Sequence, residues 1–179
     1  MQWEICHGDL RLPFRPRRYI VGHGIELYGD AEFCRRTQEA LALLRPLALF
    51  EIICAHLGII RQGKRSGMKA WAVKPTFVVG KPTWSHSALW YAGAVAHDAY
   101  HAVLYAEAKK RDGGKEPPAA TWTGAAAEKQ CLAFQREVLV ELNADEKLIG
   151  YIDRCARDPT YQGHHQGWRG WLDYLKRRW

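Results

Sequence analysis

The 179-residue sequence has no apolar run long enough to cross a bilayer, for which about 20 consecutive apolar residues are needed. A signal-peptide pattern is missing too, because Glu4, His7 and Asp9 stand where such a peptide has a basic end and an unbroken apolar stretch. Internal repeats are also absent, which excludes a repeat protein. We therefore expect a cytoplasmic protein that does not enter a membrane.

Paired cysteines are missing as well. The five cysteines are odd in number, and none belongs to a CxxC pair. A chain of this length buries a core without disulfide bonds. The pattern therefore predicts reduced and mostly buried thiols.

Basic charge is present but is not concentrated. The net charge is +7, and apart from three short clusters the lysines and arginines are spread along the chain. Phosphate binding needs basic groups gathered on one surface, ideally with aromatic residues among them. We therefore expect no nucleic-acid partner, and the sequence leaves the oligomeric state open.

The composition is that of a folded domain, with 47% hydrophobic and 25% charged residues. The length corresponds to a single domain over residues 1–179. Periodicity predicts strands at 19–28 and 70–80 and a helix from 31 to about 60 that Pro46 interrupts. Further helices are predicted from a cap at 83–85 to about 110, at 125–157 with a break near 143–145, and at 168–178. The fold class is therefore α+β, mainly helical with a small β-sheet.

The most informative segment is AHDAYHA, in which His97 and His101 stand four residues apart in a strongly helical context. Four residues are just over one helical turn, so both imidazoles project from the same face at the separation that one zinc ion requires. Asp98 follows the first histidine, at the place where the HExxH motif has its general base. The alternative is that both histidines are core residues bonded to backbone carbonyls.

Glu128 is the candidate for a third ligand, because it shares a helix face with apolar residues. At 100° per residue its neighbours on that face are Leu132, Gln135, Leu139 and Leu142, whereas Glu137 and Glu141 fall on the opposite side. A buried carboxylate needs a cation or strong donors. A metal held by the two histidines supplies a cation, and the free amide groups of the first helical turn are the alternative.

The segments WYAGAVAHDAYHAVLY and AEKQCLAFQ resemble zincin metallopeptidases of the gluzincin type, in which HExxH on one helix is completed by a Glu on the next. They also resemble small uncharacterised bacterial zincin-like proteins with an HDxxH motif and a downstream helix that carries a Glu, a small residue and a Phe-Gln pair. The resemblance covers about residues 84–143. It implies a zincin-like domain in which the metal-site helix is followed by the third-ligand helix.

The resemblance implies a role for each site residue. His97, His101 and Glu128 would bind one zinc ion, and Asp98 would be the general base acting on a zinc-bound water. The expected reaction is hydrolysis of peptide or other amide bonds, with a peptide or protein substrate aligned along an edge strand at 76–79. Aspartate is one methylene shorter than glutamate, so Asp98 either acts from closer range or through a water, or else orients a ligand.

Two readings of the function follow. The first is a zinc-dependent hydrolase, and the alternative is a non-catalytic, metal-stabilised binding or interaction protein of the same fold. A helical di-iron protein is disfavoured because it needs paired ExxH motifs, and the chain has a single one, Glu4 to His7. Downstream, the resemblance to gluzincins makes Tyr161 or His165 a candidate for stabilising an oxyanion, and the alternative is that His164 and His165 are an exposed loop pair.

Overall fold

The computed structural model describes the backbone of residues 17–20 and the full residues 24–158. Five strands form one mixed sheet in the order β1-β2-β3-β5-β4. Strands β2, β3 and β5 run parallel, and β1 and β4 are antiparallel to their neighbours at the two edges. The strand bounds are β1 Arg17–Ile20, β2 Glu26–Gly29, β3 Ile59–Gly63, β4 Gly67–Lys69 and β5 Thr76–Gly80.

The described residues also form six α-helices, and their combination with the sheet confirms the α+β class. The helix bounds are α1 Ala31–Leu44, α2 Phe50–His56, α3 Lys81–Trp84, α4 Ala88–Arg111, α5 Ala125–Glu141 and α6 Glu146–Arg157, and a 3-10 turn lies at Ala119–Thr121. None of the helices in the described part of the chain combines the length and the apolar character needed to span a membrane.

The predicted break in the last long helical segment is confirmed. Helix α5 ends at Glu141, Asn143 has a positive φ of 55°, and α6 begins after Asp145. The Asp145 side chain caps α6 by accepting a hydrogen bond from the Leu148 amide. The predicted helix at 168–178 lies outside the described residues.

Three predicted elements have different bounds in the structure. The strand predicted at 19–28 is two strands, β1 and β2, with Gly24 at a positive φ of 81° between them. The helix predicted at 31–60 is α1 and α2, divided at Pro46, and Ile59 and Ile60 belong to β3. Ile60 pairs with both Leu27 and Phe77 in the middle of the sheet, where a β-branched residue packs well.

The strand predicted at 70–80 was too long, and its position in the sheet was wrong. Only 76–80 form β5, and this strand is paired on both sides, by β3 and by β4. The prediction of an edge strand at 76–79 therefore fails. The edge on this side is β4, Gly67–Lys69, a three-residue segment with one glycine and no strand periodicity.

Helix α4 is the central element of the fold. Its cap is Ser87, a few residues later than predicted, whose hydroxyl accepts a hydrogen bond from the Trp90 amide. Most of its residues are buried, since the sheet and α1 pack on one side and α5 on another. At Gly93 a β-carbon would lie 3.1 Å from Leu139, so this glycine permits the close approach of α4 and α5.

Three apolar clusters surround α4. The largest lies between the sheet and the helices α1, α2 and α4, and a second joins α4, α5 and α6. The third lies between α4, the start of α5 and the segment after β4, and its members are Ala70, Ala102, Leu104, Tyr105, Trp122, Ala127 and Cys131. The predicted site residues lie where α4 faces α5, beside this third cluster.

Candidate metal centre

The three predicted ligands meet between two helices. His97 and His101 come from α4 and Glu128 from the first turn of α5, and all three side chains are buried. Glu137 and Glu141 are exposed, so the predicted helical phase of α5 is confirmed. The i, i+4 histidine spacing puts the two ring centroids 5.1 Å apart.

The Glu128 carboxylate lies between the two imidazoles. Its Oε2 is 3.1 Å from His97 Nε2, and its Oε1 is 3.3 Å from His101 Nε2. One carboxylate therefore contacts two ring nitrogens that also lie close to each other. Burial alone would raise the pKa of Glu128, but the hydrogen bonds and charges of the histidines outweigh it and lower that pKa to about 2.

The outer nitrogens of both rings are held by carbonyl oxygens. His97 Nδ1 is 3.1 Å from Gln135 Oε1, and His101 Nδ1 is 2.7 Å from the Trp122 backbone oxygen. A carbonyl oxygen only accepts hydrogen bonds, so each Nδ1 carries the proton and donates. This arrangement leaves both Nε2 atoms directed at the Glu128 carboxylate, as in histidines that ligate a metal.

Cys131 is a site residue that was not predicted from the sequence. Its side chain is fully buried, one turn after Glu128 on α5. The ligand atoms of His97, His101 and Cys131 all lie within 4.8 Å of one another. Together they form a buried group that could hold a metal ion. The i, i+3 spacing of Glu128 and Cys131 was the available signal.

The Cys131 thiol also interacts with His101. Burial lowers the pKa of His101, but hydrogen bonds to Cys131 and Glu128 outweigh it and raise the pKa well above its usual value. Burial raises the pKa of the Cys131 thiol, against the opposing effect of His101. Without a metal ion, a proton on His101 therefore balances the buried Glu128 carboxylate.

Asp98 is half-buried and does not belong to the buried group of His97, His101 and Cys131. Burial raises the pKa of its carboxyl to about 6, while the charges of His97 and His101 act to lower it and that of Glu128 to raise it. The carboxyl group is therefore close enough to the site to respond to its charges. Groups with perturbed pKa values beside a cluster of ligands are frequent in functional sites.

The tyrosines near the motif have structural contacts. The Tyr105 hydroxyl donates to Glu116 at 2.6 Å, and the Tyr100 ring stacks on Phe134 at 4.7 Å. The candidates Tyr161, His164 and His165 lie outside the described residues.

Comparisons with known proteins provide no relative, because the chain matches no family model, no curated protein and no solved structure. An inference of function for this chain therefore depends on the geometry and chemistry of its own residues.

Proposed function

We propose that this protein is a zinc-dependent hydrolase of peptide or other amide bonds, with His97, His101 and Glu128 as zinc ligands. The observation that carries the proposal is the orientation of the two imidazoles. Both rings donate from Nδ1 to a carbonyl oxygen, and both direct Nε2 at the same buried carboxylate.

This orientation calls for a cation. A carboxylate only accepts hydrogen bonds, so an Nε2 without a proton would present its lone pair to the negatively charged oxygens. Either an additional proton or a metal ion between the groups removes this repulsion. A metal ion also compensates for the burial of the Glu128 carboxylate, which contacts two histidines.

The donor types favour zinc among the common ions. Imidazole nitrogen is a frequent ligand of zinc and of other late first-row metals, whereas magnesium and calcium prefer shells of oxygen atoms. Two histidines and one glutamate are also a ligand set of catalytic zinc sites, in which a fourth position remains for water or substrate.

The chain's own residues supply the rest of the chemistry. Zinc in such a site polarises a carbonyl group and lowers the pKa of bound water. Asp98 would accept the proton, since its pKa of about 6 leaves it ionised at neutral pH. The edge strand β4 packs through Met68 against the cluster that contains Tyr105 and Cys131, and it would align an extended peptide.

The first test is the metal content of protein purified without a polyhistidine tag. We expect about one zinc per chain. A content below about 0.2 per chain that persists after reconstitution with zinc would remove the basis of the proposal.

The second test is hydrolysis of a broad peptide library by the zinc-loaded protein and by Asp98→Asn. Because an amide cannot accept the proton, this variant should keep zinc and lose at least about a hundredfold in rate. Asp112→Asn, at the exposed end of the same helix, is the control and should retain the rate. An unchanged rate for Asp98→Asn would assign Asp98 to orientation of a ligand instead.

One observation favours a second candidate function, a metal-stabilised binding protein without turnover. Cys131 lies close enough to the histidines to be a further ligand, and a complete set of four protein ligands is typical of structural zinc sites. Zinc content of one per chain, combined with no hydrolysis of any peptide in the library, would favour this candidate.

A further inference from the structure

We propose that Cys131 is a fourth protein ligand of the metal ion, through its thiolate sulfur. This inference deepens the proposed function, since it uses the same metal site, but it does not depend on hydrolysis. Cys131 is fully buried on α5, and its neighbours include the two histidines of α4. The Cys131 thiol is shielded from solvent, and it forms a hydrogen bond with His101 of the site.

The donor atoms need to move only a short distance toward one another to bind one ion. Zinc–nitrogen bonds of about 2.0–2.1 Å and zinc–sulfur bonds of about 2.3 Å put two tetrahedral donors about 3.3–3.6 Å apart. The Cys131 sulfur and the two imidazole nitrogens already lie within 4.8 Å of one another. Side-chain rotation and a shift of about 1 Å therefore bring all three onto one ion.

The positions on the two helices also fit a common ion. Glu128 and Cys131 are one turn apart on α5, and His97 and His101 are one turn apart on α4. Each helix therefore contributes two donors from one face, and the faces are directed at each other. A tetrahedral ion uses two ligands from each side in this arrangement.

Binding of the metal by Cys131 requires only the loss of the thiol proton. The Cys131 S–H bond breaks, its proton passes to solvent as the metal enters, and a sulfur–metal bond forms with no change of oxidation state. Burial disfavours a free thiolate at this position. Coordination removes this penalty, because the positive ion compensates for the charge on sulfur.

The ligand set makes a prediction about metal preference. Thiolate is a soft ligand that favours zinc and cobalt over magnesium, calcium and manganese. With four protein donors the coordination shell of the resting site is complete. Water or substrate then enters only by displacing a ligand or by a fifth bond, which zinc forms in some catalytic sites.

Cobalt(II) substitution tests the proposal directly. The full-length protein should bind about one Co²⁺ per chain, with visible bands of a tetrahedral site and a near-ultraviolet band from thiolate-to-cobalt charge transfer. Cys131→Ser should keep the visible bands, lose the near-ultraviolet band and weaken zinc affinity by about tenfold or more. Cys34→Ser, a buried cysteine of α1 in another apolar cluster, is the matched control and should retain both features.

The outcomes separate this proposal from the proposed function. Visible bands without a near-ultraviolet band in the unmodified protein would overturn the assignment of Cys131 and leave the three-ligand hydrolase site intact. A near-ultraviolet band that persists in Cys131→Ser would assign the sulfur to another residue and would also overturn it. A near-ultraviolet band that depends on Cys131, in a protein that cleaves no amide, would confirm the ligand and contradict the hydrolase. No cobalt or zinc binding at all would overturn both.

Discussion

Glu26 and Glu128 are both only 6% exposed, but their carboxylates have different partners. Glu26, at the start of β2, forms an ion pair with Lys74 and accepts a hydrogen bond of 2.6 Å from the Tyr28 hydroxyl. Lysine has its charge throughout the neutral pH range. Glu128 faces two imidazoles, which balance its charge only when they bind an additional proton or a metal ion.

The comparison shows that burial of a carboxylate does not by itself indicate a metal. Lys74 balances the negative charge of Glu26. The negative charge of Glu128 is balanced only when the two histidines bind an additional proton or a metal ion. The type of the partner, lysine in one case and histidine in the other, is what indicates a binding site.

The largest expected effect is the increase in the free energy of unfolding when zinc binds beside Glu128. Zinc at about a thousand times its dissociation constant should stabilise the protein by about 4 kcal/mol, because it binds only the folded site. A chelator should reverse this gain. Thermal unfolding with and without zinc measures the effect, and the double variant His97→Ala and His101→Ala should show no gain. An equal gain in that variant would place the ion elsewhere.

Glu128→Gln tests the charge of the carboxylate without changing the size of the side chain. The amide keeps the size but loses the charge, so zinc affinity should fall by about tenfold or more. Competition with a chromophoric chelator measures this affinity. Glu137→Gln, on the exposed side of the same helix, should change it little. Equal losses in the two variants would contradict the assignment of Glu128.

The matching change in the other region is Lys74→Met. Loss of the ammonium group removes the ion pair and leaves the Glu26 carboxylate with the hydrogen bond from the Tyr28 hydroxyl among its partners. Because the Lys74 side chain is 55% exposed, water limits the cost to about 1 kcal/mol. Denaturant unfolding measures it, and zinc affinity should not change. A change in zinc affinity would show that the two regions are coupled.

The smallest effect concerns an exposed carboxylate, Asp30. Its side chain caps α1 by accepting a hydrogen bond of 2.8 Å from the Phe33 amide, and Gln62 donates to its other oxygen. Asp30→Ala should cost about 1 kcal/mol. These hydrogen bonds, led by the one from Phe33, lower the pKa of Asp30 below 3.8.

The direction of that shift determines the pH dependence. The stabilisation by Asp30 is fully present above the unfolded pKa and is lost as the pH falls through the lower folded pKa. The difference in unfolding free energy between wild type and Asp30→Ala should therefore be constant near neutral pH and shrink in acid. A difference that grows in acid would contradict the role of the charged cap.

Short-range spacing made much of the site predictable. The four-residue separation of His97 and His101 and the helical phase of Glu128 need only the period of an α-helix. The break at 143–145 follows from local residue types in the same way. These features depend on neighbours a few residues away, and such neighbours are visible in the sequence.

The strands were harder to predict because their partners are distant in sequence. Ile59 and Ile60 continue a helical pattern, and only their position between β2 and β5 makes them a strand. Whether 76–79 lies at the edge depends on where the short segment Gly67–Lys69 pairs. Tertiary context decides strand order and outweighs local propensity.

The sequence by itself determined that the fold is α+β, that two histidines share a helix face and that Glu128 is directed inwards. Only the tertiary structure decided what these residues meet, since the α4–α5 contact at Gly93 and Leu139 brings the two helix faces together. The Trp122 carbonyl that orients His101 belongs to the backbone, so no side-chain pattern reveals it. Cys131 became a candidate ligand only in the tertiary structure. Helical spacing shows which residues share a face of one helix, but the packing between two helices determines which residues meet.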